Sequence, residues 1–210
     1  MIRDFNCEWL EARKLILAQE FQTFVTGAGI GAGAPVFAEI GATGITGFQI
    51  NAAGDTAATL LPLYEVDITK QIRFRVIWTQ SATTDTDTID WIVLYTPIIL
   101  ETTVLIDPAT ALSTAITLAD ASSGVAAVLQ GTAFGVINRN TLADTTEYLA
   151  VSVEADAIGT FTADEPFFVG LEMRYTPRRM AGPRRNILGG RRLSVTRPLG
   201  VQLASAQEGL

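Results

Sequence analysis

Between residues 71 and 100 the chain alternates. In "QIRFRVIWTQ", residues 71–80, Ile72, Phe74, Val76 and Trp78 fall on one parity, and Gln71, Arg73, Arg75 and Ile77 on the other. In "TIDWIVLYTPIIL", residues 88–100, Ile89, Trp91, Val93 and Tyr95 share a parity. Successive side chains of a strand point to opposite faces, so a period of two predicts strands with one apolar face each. Those faces must be covered by other sheet or by a partner. The polar "SATTDTDT" between the two segments reads as a turn, and the pair as a long hairpin.

The same pattern returns further on. In "EYLAVSVEAD", Leu149, Val151 and Val153 oppose Tyr148, Ala150 and Ser152. In "PFFVGLEMRYTP", Phe167, Val169, Leu171, Met173 and Tyr175 oppose Phe168, Gly170, Glu172 and Arg174, and Pro177 ends the run. "VAAVLQGTAFGVINRNTL" reads as one or two short strands broken at glycine, and Asp107-Pro108 as the start of a helical turn, since proline fits a first turn. "CEWLEARKLILAQEF" fits a short helix or an extended segment. About eight strands with turn punctuation, and almost no helices between them, predict an all-β fold. The expectation is a single β-sandwich, jelly-roll-like, with extended N- and C-terminal arms. Residues 1–44 are read as an N-terminal segment and Gly/Ala-rich arm or loop, 45–176 as the sandwich body, and 177–210 as an Arg-rich C-terminal arm.

Composition removes much chemistry. The chain has no histidine and one cysteine, Cys7, so the commonest acid/base group and metal ligand are missing. Cys7, beside Trp9 and Leu10, reads as a small buried hydrophobe. Gly29, Gly31 and Ala34 fit a loose G-x-G-x-x-A, but Pro35 and a strand-like "VFAEI" follow where a dinucleotide loop needs a helix. Asp85, Asp87 and Asp90 resemble the opening of a calcium loop, yet Thr96 stands where a closing glutamate is required. Asp164 and Glu165 are sequence neighbours and point to opposite faces of a strand. Glu154 and Asp156 share a face, but nothing separates their roles as acid and base. No catalytic residue, metal or cofactor is expected, and the chain is read as a non-enzyme. No stretch is apolar enough to span a membrane as a helix, and the charged start, "MIRDFNCEW", does not resemble a signal peptide.

Charge is polarised. Residues 174–210 carry eight arginines and one acid, Glu208, whereas residues 1–173 carry 7 basic and 21 acidic groups. The pairs Arg178/Arg179, Arg184/Arg185 and Arg191/Arg192, followed by Arg197, are separated by glycine and proline. Aliphatic residues are interleaved with them, and no aromatic follows Tyr175, so the segment lacks a stacking platform for nucleic-acid bases. Seven residues, Arg178, Arg179, Arg184, Arg185, Arg191, Arg192 and Arg197, are therefore read as a docking arm for a protein partner. Guanidinium forks would meet carboxylates there. Nucleic acid and membrane are not expected as partners.

The segments "KQIRFRVIWTQSATTDTDTIDWIVLYTPI", "GVINRNTL" and "EYLAVSVE…FFVGLEMRYTPRR", with the Gly/Ala-rich start and the long C-terminal arm, resemble the auxiliary cement or decoration proteins of tailed-bacteriophage heads. The resemblance is one of style over most of the chain and carries over no site residue. It implies a virion structural protein made in the host cytoplasm. Such a protein would be a homotrimer that binds the major capsid protein and bridges capsid subunits. Two alternatives stand beside it. One is a shell-forming single jelly-roll capsid protein whose arginine arm contacts packaged genome. The other is a carbohydrate-binding or tail-fibre-like β-sandwich module.

Overall fold

Two antiparallel sheets lie face to face in the computed structural model, which describes residues 11–25, 35–81, 88–101, 114–158 and 166–178. In chain order the strands are β1 (Ala12–Leu17), β2 (Gln22–Val25), β3 (Val36–Glu39), β4 (Thr46–Gln49), β5 (Asp55–Pro62) and β6 (Ile72–Gln80). They continue with β7 (Thr88–Ile98), β8 (Thr114–Ala121), β9 (Gln130–Gly131), β10 (Gly135–Ile137), β11 (Tyr148–Ala157) and β12 (Pro166–Tyr175). One sheet runs β10-β6-β12-β4-β3, with β1 also on β12 and β9 on β6; the other runs β2-β5-β11-β7-β8. The chain therefore changes sheet at every step except β3→β4, β7→β8 and β9→β10. This crossing pattern is that of a jelly-roll-like sandwich.

The apolar parities are buried as predicted. Phe74, Val76 and Trp78 of β6 and Ile89, Trp91 and Val93 of β7 have no exposed surface. They meet in one core with Leu149, Val151, Phe168 and Leu171. The expected β6–β7 hairpin does not form: β6 pairs with β12, β9 and β10, while β7 pairs with β11 and β8. Alternation reports which face is apolar and is silent about the neighbour. Two strands with strongly apolar faces bury them best by facing each other from opposite sheets.

The N-terminal boundary also moves. "ARKLIL" is a strand, not a helix, and the sandwich begins well before residue 45. β1 pairs with β12 from Ala12↔Tyr175 to Leu17↔Gly170, and places Ile16 in the core. A single 3₁₀ turn at Ala18–Glu20, closed by Leu17 N–H donating to Glu20 Oε1, carries the chain across to β2. There Phe21 packs edge-on against Phe168, with ring centroids 5.0 Å apart. β2 and β3 complete the sheets at β5 and β4.

In β12 the predicted alternation fails at one point. Its register against β6 shifts between Phe168 (opposite Trp78) and Gly170 (opposite Ile77), a β-bulge. Phe168 thus joins Leu171, Met173 and Tyr175 in the core, while Phe167 and Val169 form a small cluster with Ile40 on the other face. The glycine loop 26–34, the acidic tip 82–87, the Asp107-Pro108 segment, Cys7, and Asp164/Glu165 all lie outside the described residues.

Candidate binding site

Four segments of the chain meet at one end of the sandwich. Leu63 N–H donates to the carbonyl of Glu147 (2.9 Å), and Glu147 N–H to that of Ile98 (3.0 Å). Asp67 N–H reaches the carbonyl of Thr176 (2.8 Å), Arg178 N–H reaches that of Glu65 (2.7 Å), and Val66 forms a bridge with Pro177. These backbone bonds hold the segments after β5, after β7, before β11 and after β12 in fixed relation. Between them lies a cleft of about 550 Å³, lined by Leu63, Tyr64, Leu100, Glu101, Asp144, Thr146, Glu147 and Arg178 among others. That size suits a small ligand or one end of a chain-like one.

The cleft combines three kinds of group. The first is aromatic: Tyr64 is 59% exposed, although its ring packs edge-on against Tyr148 with centroids 5.8 Å apart. Its hydroxyl donates to the Tyr148 hydroxyl (3.3 Å). That bond, then desolvation and the nearby Tyr148 and Glu147, hold the Tyr64 phenol above its ordinary value of 10.0. The second is ionic: the carboxylates of Glu101, Asp144 and Glu147 and the guanidinium of Arg178. The third is a buried hydroxyl. Thr146 is 6% exposed and its N–H donates to the carbonyl of Ala143, but its Oγ1 has no partner among the described residues. A buried hydroxyl without a partner is uncommon and calls for an explanation. Glu101 adds a further irregularity, with φ of 62°, a left-handed conformation that a non-glycine residue adopts at some energetic cost.

Of the seven arginines predicted for docking, Arg178 lies at this cleft, and Arg179, Arg184, Arg185, Arg191, Arg192 and Arg197 lie outside the described residues. Among the carboxylates weighed from the sequence, Glu154 and Asp156 sit in β11 and Asp90 in β7, away from the cleft. Burial, and next the charge of Asp156, push Glu154 above its ordinary 4.5. Among the described residues no three of His, Cys, Asp and Glu group as metal ligands. Tyr64, Glu101, Asp144, Thr146 and Glu147 were not singled out by sequence. The available signals were an aromatic in the turn segment "LPLYEVD" and the polar run "LADTTEY" just before a strand.

No family model matches the chain, and neither does any curated protein. Several solved structures do. A CBM36 domain of a multidomain xylanase from the hindgut metagenome of Trinervitermes trinervoides is 7% identical, covering 77% of this chain and 96% of that one, with a TM-score of 0.43. A family 35 carbohydrate-binding module from Clostridium thermocellum is 10% identical, covering 77% and 97%, TM-score 0.42. The CBM35 of Abf62 from Cellvibrio japonicus is 13% identical, covering 80% and 96%, TM-score 0.40. These neighbours are carbohydrate-binding modules and not phage head proteins, which corrects the expectation of a bacteriophage capsid cement or decoration protein. At such scores they do not locate a ligand on this chain, and the site rests on its own geometry.

Proposed function

We propose that the protein is a non-catalytic binding module whose end cleft takes a carbohydrate. The observation that carries this reading is the pairing of an exposed tyrosine ring with a buried, unpartnered Thr146 hydroxyl in one cleft. A sugar has C–H faces that pack on an aromatic ring and a rim of hydroxyls that both donate and accept. Carboxylates such as Glu101, Asp144 and Glu147 accept from sugar hydroxyls, Arg178 donates to them, and Thr146 does either. Aromatic and convergent polar groups on a rigid frame are the ordinary make-up of a small-molecule site. The backbone bonds between the cleft's segments make it preformed, so little ordering entropy opposes binding.

Affinity electrophoresis and calorimetry against a panel of neutral and acidic polysaccharides test the proposal. Tyr64→Ala is expected to weaken binding tenfold or more with only a small drop in melting temperature, because the ring is largely exposed and gives up only its contact with Tyr148. Thr146→Val, nearly isosteric, is expected to keep or raise stability while weakening binding. Absence of binding to every polysaccharide in the panel, or full binding by both variants, would overturn it.

A further inference from the structure

On the outer face of the sheet containing β12, three arginines stand side by side. Arg13 of β1 is directly opposite Arg174 of β12, which is directly opposite Arg73 of β6. Neighbouring strands are only about 4.8 Å apart, and like charges placed opposite one another destabilise a sheet. One pair of residues along, the row reads Leu15–Glu172–Arg75. Glu172, 4% exposed, accepts from Arg75 Nε (2.7 Å) and Arg174 Nε (2.8 Å), and lies 3.0 Å from Arg13 Nε. Glu11 accepts from Arg73 Nε (3.0 Å). The Phe134 ring is overlaid by Arg174, Arg75 and Arg73 at 4.3, 5.0 and 5.6 Å from its centroid. Among the described residues this cluster holds four guanidiniums and two carboxylates, a local excess of positive charge on a chain whose net charge is −7.

We infer that this face is a docking surface for an acidic protein segment carrying aliphatic side chains. Cation–π attraction gathers Arg73, Arg75 and Arg174 about the Phe134 ring, and the planar guanidinium forks of the row suit carboxylates. The Arg13 side chain is 64% exposed and offers the most accessible of these forks. Beside it on the same face of β1 lie the exposed Leu15 and Leu17, and Val136, opposite Arg73, is exposed at the far end of the row. Aliphatic flanks around arginine anchors fit a peptide better than a nucleic acid, which would be met by stacking aromatics and repelled by the acidic remainder of the chain. The surface is distinct from the end cleft, and the inference does not depend on the carbohydrate reading.

Fluorescence anisotropy on the full chain tests it, using a labelled twelve-residue peptide of alternating Glu and Leu. The same peptide with Gln for Glu and an unlabelled polygalacturonate competitor serve as controls. Binding of the Glu peptide alone is expected, weakening at least fivefold in Arg13→Gln and falling with added salt, with Arg13→Lys intermediate. Leu15→Thr, in an exposed side chain, is expected to weaken it about threefold and guards against a folding defect in the arginine variant. Equal binding of the Gln peptide, or unchanged affinity in both Arg13→Gln and Leu15→Thr, overturns the inference. Displacement by polygalacturonate at lower concentration than by unlabelled peptide overturns the assignment to a protein.

Discussion

Trp78 and Trp91 meet across the sandwich with ring centroids 6.3 Å apart and planes inclined at 56°, although the strands that carry them share no ladder. The two indoles differ in one respect. Trp78 Nε1 donates to Asp120 Oδ2 at 2.8 Å, whereas Trp91 Nε1 is buried without a partner among the described residues. Both replacements by phenylalanine remove similar volume from the same core. Trp78→Phe is therefore expected to destabilise by about 1.5–3 kcal/mol more than Trp91→Phe, the worth of a hydrogen bond to a charged acceptor. Paired denaturant titrations read the difference.

Gly170 pairs with Leu17 at the end of the β1–β12 ladder. A Cβ there would come within 2.6 Å of the Ile16 carbonyl oxygen, a backbone atom that cannot swing aside. Gly170→Ala should lower stability by about 2 kcal/mol or more by prising β1 off the sheet, which corresponds to roughly 4–8 °C in melting temperature for a chain of this size. Hydrogen exchange at residues 12–17 would show whether the loss begins in β1.

Glu172 gives the protein an acid-sensitive staple. Burial acts to raise its carboxyl, but the hydrogen bonds and charges of Arg174 and Arg75 outweigh that and hold it below its ordinary 4.5. A carboxyl with a lowered folded pKa stabilises the fold when ionised. Its contribution is complete above about pH 4.5 and is lost as pH falls through the lowered value. Glu172→Gln should cost about 1–3 kcal/mol at neutral pH, less than for a fully buried pair because the arginines are partly solvated. The gap to the parent should narrow in acid, as followed by thermal unfolding from pH 7 to pH 3.

Glu154 behaves in the opposite sense. Its carboxyl is raised, first by burial and then by Asp156, so ionisation opposes folding and protonation relieves it. Glu154→Gln is expected to raise the melting temperature at pH 7 by about 1–3 °C, consistent with a gain below 1 kcal/mol. The gain should disappear as the pH falls through the raised value. An equal gain at pH 7 and pH 4 would show that the charge is not the cause.

Residue parity carried most of what could be read in advance. Ile72 to Trp78 and Ile89 to Tyr95 were placed on core faces because a period of two is a local property. The partner of each strand is not local, which is why β6 and β7 looked like a hairpin while lying in different sheets. The bulge at Phe168–Gly170 was invisible for a related reason: an extra residue on one strand is defined only against its neighbour. In "ARKLIL" the strand depends on β12, more than 150 residues away, and nothing nearby distinguishes it from a helix. The cleft residues escaped notice because Tyr64, Glu101, Thr146 and Arg178 are scattered over more than a hundred residues and are assembled by backbone bonds between loops. The arginine row was legible in part, since Arg73 and Arg75 stood out as charges on a strand. That Arg13 and Arg174 join them follows only from pairing.

The last of the described strands is also the most shared one. β12 supports β6 along one side and β4 and β1 end to end along the other. A nascent chain emerging from the ribosome therefore carries three strands with an unpaired flank until residue 175 has been made. Everything from β1 to residue 175 must be present before the larger sheet can close. Folding should be slow, governed by long-range pairing. Premature termination anywhere before residue 166 would leave exposed strand edges and an open core, the condition under which sandwich proteins aggregate.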